Sequence, residues 1–250
     1  MTDQPRHPIV LIPSRLGSTR LPGKPLADIH GEPMIVHVWR RGVEAGVGPV
    51  AVACGDPEIA EAVTRAGGTA VMTDPALPSG SDRVAAALRQ LDPGRRHDVV
   101  VCLQGDMPTI DPTVIPASLA PLADREVDIV TLCTVIQDED ELQARSVNKI
   151  AVGFKPGARV ARALYFSRHV IPSGAGPHYH HIGLYTYRRA ALERYVTLPP
   201  TPLELRESLE QHRALEAGMR IEVALVDTLP LGIDTPADLA RAREILAPRR

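Results

Sequence analysis

The sequence predicts an α/β fold with a central, mostly parallel sheet and helices on both faces, followed by a smaller β-rich part. Three observations carry this. Short β-branched runs alternate with segments of helical period through the first hundred residues, which is the grammar of β-α-β units. Several of these runs end in polar loops rich in Gly, Pro or Asp, where an open α/β sheet gathers its functional loops. After about residue 127 the pattern changes to alternating, hairpin-like strands.

The elements follow in order. Pro8–Pro13 reads as the first strand and Pro33–Ala45 as a helix, with Met34, Ile35, Val38 and Trp39 at helical spacing. Gly46 and Gly48 end that helix, and Val50–Cys54 is a strand. Asp56–Ala66 is a helix closed by Gly67-Gly68, followed by a short strand at Thr69–Met72. Ser81–Leu91 is a helix and Asp98–Leu103 an apolar, buried strand. Val127–Val135 is a strand and Asp138–Arg145 a short helix. Asn148–Phe154 and Val160–Phe166 form a hairpin turning at Pro156-Gly157, and Ile182–Tyr187 is a further strand. Pro202–Gly218 reads as one long helix, Ile221–Val226 as a strand, and a last helix begins at Thr235, an N-cap with Pro236 at the first helical position.

Composition removes whole classes of function. The 250 residues contain 44% hydrophobic side chains, ample for a core, and carry a formal charge of −2. That balance disfavours general affinity for nucleic acid or anionic membrane, and 3% aromatic content leaves little for stacking on single strands. Met1 to Pro8 is polar and lacks a signal core, and no apolar run approaches the roughly 20 residues that span a bilayer. Cys54, Cys102 and Cys133 lie in strand-like contexts with no CxxC spacing, so they read as buried thiols in a reducing, cytoplasmic compartment.

The stretch from Ile9 to Pro25 is the strongest local signal. A strand ends at Pro13 and is followed by a loop with two glycines and the cations Arg15, Arg20 and Lys24. Strand, Gly-rich basic loop and helix in that order suit phosphate binding; the alternative is a solvated loop. The loop is not a P-loop: five residues separate Gly17 from Gly23, and Pro25 stands where Ser or Thr would follow the lysine. G-x-G-x-x-G is absent as well, which disfavours a motor ATPase or a dehydrogenase.

Further polar clusters stand at other strand ends. Ser79-Gly80-Ser81 opens a helix and reads either as a seat for an anion or base edge or as a plain N-cap. Asp106, in Gln104-Gly105-Asp106-Met107-Pro108, ends a buried strand and suits Mg²⁺, which takes hard oxygen ligands and substrate phosphates; the alternative is a cap for the helix that follows, for which Asp111-Pro112 is the better candidate. Asp234 lies just outside the Thr235 cap, where it is available as a second, distant ligand for such a metal. His180 and His181 are adjacent, so on a strand they face opposite sides; with His178 they read as neutral acceptors or cations for an acidic ligand rather than as a zinc site. On the helix at 202–218, Glu207 and Arg213 read as a solvated face.

These residues resemble the sugar-acid cytidylyltransferases, above all the branch acting on 3-deoxy-D-manno-octulosonate (Kdo). The resemblance rests on Pro13-Ser14-Arg15, Ser18-Thr19-Arg20-Leu21-Pro22-Gly23-Lys24-Pro25-Leu26, Ser79-Gly80-Ser81-Asp82-Arg83, Gln104-Gly105-Asp106, Tyr165-Phe166-Ser167-Arg168, His181-Ile182-Gly183-Leu184-Tyr185, Leu209-Glu210-Gln211 and Gly232-Ile233-Asp234-Thr235-Pro236. They run in order over nearly the whole chain. The resemblance implies a Rossmann-like nucleotidyltransferase fold, glycosyltransferase-A-like, as one domain over 1–250: residues 8–135 for CTP, 136–226 for the sugar acid and dimerisation, and 227–250 returning to the CTP and metal site. It implies the reaction CTP + Kdo → CMP-Kdo + pyrophosphate, which activates Kdo for lipopolysaccharide synthesis, in a cytoplasmic homodimer. Arg15, Lys24, Asp106 and Asp234 would be catalytic, with Mg²⁺ on the two aspartates. Ser14, Arg15, Lys24, Ser79, Gly80, Arg83, Gln104 and Asp106 would bind the nucleotide, and Arg168, His181, Tyr185, Glu210 and Gln211 the sugar acid. Alternatives are activation of 8-amino-Kdo or sialic acid, or a non-catalytic nucleotide-sugar sensor. The chain departs from the family in two places: Met107 replaces a common glutamate, and Cys54-Gly55-Asp56 replaces an expected Thr-Asp-Asp.

Overall fold

The structure, a computed structural model, describes residues 7–18 and 20–248. Thr19 of the basic loop and Met1–Arg6 of the polar N-terminus lie outside the described residues. The chain divides into two compact units, one of Arg6–Pro116 with Pro230–Arg250 and one built on Ala117–Leu229.

In the first unit, β1 (Pro8–Ser14) is central. It pairs in parallel with β4 (Val50–Cys54) on one side and β6 (Val99–Cys102) on the other, and β4 pairs in parallel with β5 (Thr69–Met72). Ile9–Ile12 and all of β6 are buried, as expected of parallel strands covered on both faces. The helices α1 (Met34–Glu44), α2 (Pro57–Arg65) and α3 (Gly80–Leu91) connect them. Leu26 does not run straight into α1. A two-residue hairpin, β2 (Asp28–Ile29) and β3 (Glu32–Pro33), intervenes, turning at His30 and Gly31, both with positive φ. Ile29 and Met34 then pack with Ile233, Leu239 and Ala242, so an apolar cluster fastens the basic loop to the returning C-terminal segment and its helix, Pro236–Ile245.

The second unit is a mixed sheet. β7 (Ile129–Val135) lies between β10 (Tyr179–Arg188), antiparallel to it, and β11 (Ile221–Leu225), parallel to it. The expected hairpin, β8 (Lys149–Val152) and β9 (Val160–Ser167), continues the sheet from β11. β10 is longer than the Ile182–Tyr187 run the sequence marks, because the histidine segment is part of the strand. Helices α4 (Glu139–Gln143) and α5 (Arg189–Tyr195) flank these strands in sequence; α5 has no counterpart in the sequence reading.

The single helix expected over 202–218 is two helices, α6 (Pro202–Glu207) and α7 (Gln211–Glu216). Ser208 sits in the left-handed region at φ 55°, and Glu204 explains why. Its carboxylate accepts the Thr201 N–H in a capping box and the Nε–H of Arg213, 2.9 Å away, so the chain folds back on itself. Both side chains are only 11% exposed, and the Arg213 guanidinium stacks over the Tyr195 ring. Neither Arg213 nor Glu207 is a solvated-face residue: Glu207 accepts from the Tyr165 and Ser167 hydroxyls at 3.1 and 2.9 Å.

Candidate active site

In the first unit, a cleft of about 470 Å³ opens at the carboxyl ends of β1 and β6. It is lined by Ser14, Arg15, Lys24, Ser79, Gly80, Arg83, Gln104 and Asp106, every residue assigned to the nucleotide from sequence. Gly17, Ser18, Arg20, Leu77 and Pro78 join them. Gly105 lets the walls meet: a Cβ there would lie 2.7 Å from the Pro13 carbonyl oxygen at the end of β1. Gly23, at φ 67°, turns the loop so that Lys24 faces the cleft.

The ammonium of Lys24 lies 2.9 Å from Asp106 Oδ2 and 3.1 Å from Asp234 Oδ1. Arg20 reaches the other oxygen of Asp234 at 3.0 Å. The two aspartates, 128 positions apart in sequence, are brought to one place by backbone stitching. The Ile233 N–H donates to the Asp106 carbonyl at 2.9 Å, and the Leu231 N–H donates to the Thr109 hydroxyl at 2.8 Å. Thr235 and Asp238 form the capping box of the C-terminal helix, which leaves the Asp234 carboxylate for the cations. Burial works against the Lys24 charge, but Asp106 and Asp234 outweigh it and hold its pKa above the ordinary lysine value.

The remaining lining residues are held in different ways. Ser14 is buried, and its hydroxyl has no partner among the described residues. Ser79 caps α3, accepting the Asp82 N–H at 3.1 Å and donating to the Asp82 carboxylate at 2.7 Å, so its hydroxyl serves the helix terminus. Arg83 is 2% exposed and braces the turn after β5, donating to the Thr73 hydroxyl at 2.6 Å and the Asp74 carbonyl at 3.2 Å. Burial first, and then the charge of Arg15, lower its pKa.

The departure at 54–56 has a physical sense here. Gly55 leaves room for that guanidinium, since a Cβ would sit 2.9 Å from Arg83 Nη1. Asp56 accepts the Leu16 N–H at 2.8 Å, fixing the start of the basic loop. Cys54 is a buried thiol whose pKa burial pushes up, and Met107 is buried too.

The sugar-acid candidates all lie in the second unit. His181 on β10 is buried; its ring stands edge-on to Phe166 at 4.9 Å and lies 5.6 Å from Tyr185. His212, absent from the sequence reading of the site, is fully buried beside them and donates from Nε2 to the Phe166 carbonyl at 2.8 Å. Gln211 is buried with its amide nitrogen unpartnered, and Glu210, whose carbonyl accepts the Tyr195 hydroxyl at 2.9 Å, precedes it. Arg168 donates to the Arg145 carbonyl at 3.2 Å. The three histidines diverge: His180 pairs with Glu141, His178 with the Pro172 carbonyl, and His181 turns inward.

Comparison with known proteins places this chain among them. The cytidylyltransferase family matches residues 9–221. A 3-deoxy-manno-octulosonate cytidylyltransferase of Paramagnetospirillum magneticum is 64% identical over 239 residues, covering 96% of this chain and 97% of that one. One of the same name from Rhodospirillum centenum is 59% identical over 249 residues, covering 100% and 97%. A solved structure of CMP:2-keto-3-deoxy-manno-octonic acid synthetase complexed with CTP superposes with a TM-score of 0.87 at 38% identity, over 97% of this chain and 99% of that one. A cytidylyltransferase from Leptospira borgpetersenii shares the fold, with a TM-score of 0.60 at 16% identity, over 94% of this chain and 84% of that one.

Proposed function

The chain belongs to the cytidylyltransferase family, and from that premise we propose that it transfers CMP from CTP to the anomeric hydroxyl of Kdo, giving CMP-Kdo and pyrophosphate. One observation carries the chemistry: Asp106 and Asp234 share a single cation at the edge of a basic, glycine-lined cleft. In such a transfer the sugar hydroxyl attacks the α-phosphorus in line and pyrophosphate leaves. The protein's part is positioning and neutralisation of charge. Arg15 and Lys24 serve the triphosphate and the departing pyrophosphate, and the unpartnered Ser14 hydroxyl serves a phosphate oxygen. Gln104, Gly80 and the turn braced by Arg83 take the cytidine.

Two carboxylates that already hold one cation between them fit a hard divalent ion. Asp106 and Asp234 would hold Mg²⁺, which when bound neutralises phosphate charge and lowers the pKa of a hydroxyl near it. Arg168, His181, Tyr185, Glu210 and Gln211 receive the sugar acid. The exposed leucine of β9, Leu164 (64% exposed), and its neighbour Val160 support a homodimer formed through the β8–β9 region. Three free, buried cysteines favour a reducing compartment, the cytoplasm. Among the described residues no helix is long and apolar enough to cross a membrane.

The test is pyrophosphate release from CTP and Mg²⁺ with Kdo, 8-amino-Kdo and sialic acid in turn. Release with Kdo at the highest kcat/KM is expected. Release only with another acid would reassign the substrate, and none with any of the three would leave a binding protein.

A further inference from the structure

His181 occupies a position whose hydrogen-bond arithmetic can be closed. The side chain it meets is that of Thr131, in the middle of β7 and fully buried. The β7–β10 ladder is regular up to Ile182–Leu132 and resumes at Tyr185–Thr131, with an irregularity between them. Such bulges re-aim groups on the strand that carries them. Here the result is that two carbonyls of β10 converge on one hydroxyl. Thr131 Oγ1 lies 3.0 Å from the Ile182 carbonyl and 2.8 Å from the Leu184 carbonyl. It also lies 2.9 Å from His181 Nε2.

A carbonyl oxygen only accepts, and a hydroxyl has one proton to give. The Thr131 proton is therefore committed to the two carbonyls. The contact with His181 can be a hydrogen bond only if the imidazole donates, so Nε2 carries the proton. Burial, followed by the neighbouring charge of His180, lowers the His181 pKa to about 3, so the ring is neutral. Its Nδ1 is then a bare lone pair. That atom is buried and has no partner among the described residues. An unmet buried acceptor is costly, which makes it a natural place for a ligand's donor. Phe166 and Tyr185 fix the ring plane on either side.

We propose that Thr131 is a positioning residue that holds His181 as its Nε2–H tautomer, so that Nδ1 accepts a hydrogen bond from a hydroxyl of the sugar acid. The inference rests on the reading of His181 as a sugar-binding residue. It also decides what His181 recognises. A neutral acceptor repels a carboxylate and welcomes an O–H, so the acid group of the substrate is bound elsewhere.

The experiment uses the full chain with ¹⁵N-labelled histidine. Long-range proton–nitrogen spectra near pH 7 are expected to show His181 protonated at Nε2 and bare at Nδ1; a proton on Nδ1, or an imidazolium, overturns the proposal. Thr131→Val is expected to lose the single tautomer and to raise KM for Kdo roughly tenfold, the loss of one good hydrogen bond, with KM for CTP nearly unchanged. Thr131→Ser, which keeps the hydroxyl, is expected to restore both. A Thr131→Val enzyme with an unchanged tautomer and KM overturns the proposal; if that variant does not fold, the wild-type and Thr131→Ser spectra still decide. His181→Ala separates the two readings. An unchanged KM for Kdo there rejects the sugar-site assignment itself, whereas a raised KM beside an unaffected Thr131→Val rejects only the role of Thr131.

Discussion

The ammonium of Lys24 lies 2.9 Å from the carboxylate of Asp106, and the same ammonium is 3.1 Å from Asp234. Two carboxylates that converge would repel each other; a fixed cation between them removes that repulsion. Lys24 therefore stands where a divalent ion shared by the two aspartates would be drawn. Replacing it with methionine leaves the carboxylates, among the described residues, with the Arg20 ion pair on Asp234. Lys24→Met is expected to melt at a lower temperature than wild type in EDTA and to gain more from added Mg²⁺ without nucleotide. A thermal-shift series shows this directly, and equal responses to the metal in both proteins would contradict it.

The aspartates themselves are held by backbone bonds that do not involve their carboxylates, among them Ile233 N–H to the Asp106 carbonyl. Neutralising either side chain should leave the fold intact and remove charge that steadies the transition state. Asp106→Asn and Asp234→Asn are each expected to reduce kcat by roughly 10²-fold or more, with melting temperatures close to wild type. Near-normal turnover in both variants would refute the metal assignment.

Arg213 and Glu204 hold the sharp bend between α6 and α7. Each is mostly buried, so removing one partner strands the other's charge. Arg213 also loses its stack on Tyr195 when truncated. Arg213→Met is expected to cost about 3 kcal/mol in denaturant unfolding. Because Gln211 and Glu210 sit in that bend, KM for Kdo should rise while KM for CTP does not. A loss below about 0.5 kcal/mol, the level of an exposed pair, would show that the bend is held by packing alone.

Much of the first unit was legible because its signals are local. Strand-ending Gly, Pro and Asp residues mark the loops, and Lys24, Asp106 and Asp234 each stand beside a turn or cap that leaves them unspent. What escaped depends on partners far away in sequence. Leu203 to Leu215 has helical periodicity, and nothing nearby announces that Glu204 will fold back onto Arg213 and force Ser208 into the left-handed region. Thr131 reads as one more β-branched strand residue; its meaning appears only when the irregularity in β10 aims two carbonyls at it. Arg83 was legible as a cleft residue, but its grip on the turn after β5 was not, because that needs Gly55 to make room.

Burial of His181 has a consequence for acid stability. The unfolded chain takes up a proton at this imidazole below about pH 6.5, whereas the folded chain resists until about pH 3. Between those values the unfolded state binds more protons than the native one, so the stability of the native state falls as the pH falls. The slope from this one group is at most about 1.4 kcal/mol per pH unit. His181→Gln, which cannot take up the proton, should lose less stability than wild type between pH 6.5 and 4.5 in urea titrations. The difference between the two proteins isolates His181, because every other group is common to both. Parallel stability curves across that range would mean that His181 is protonated in the native state, and the neutral ring would have to be abandoned.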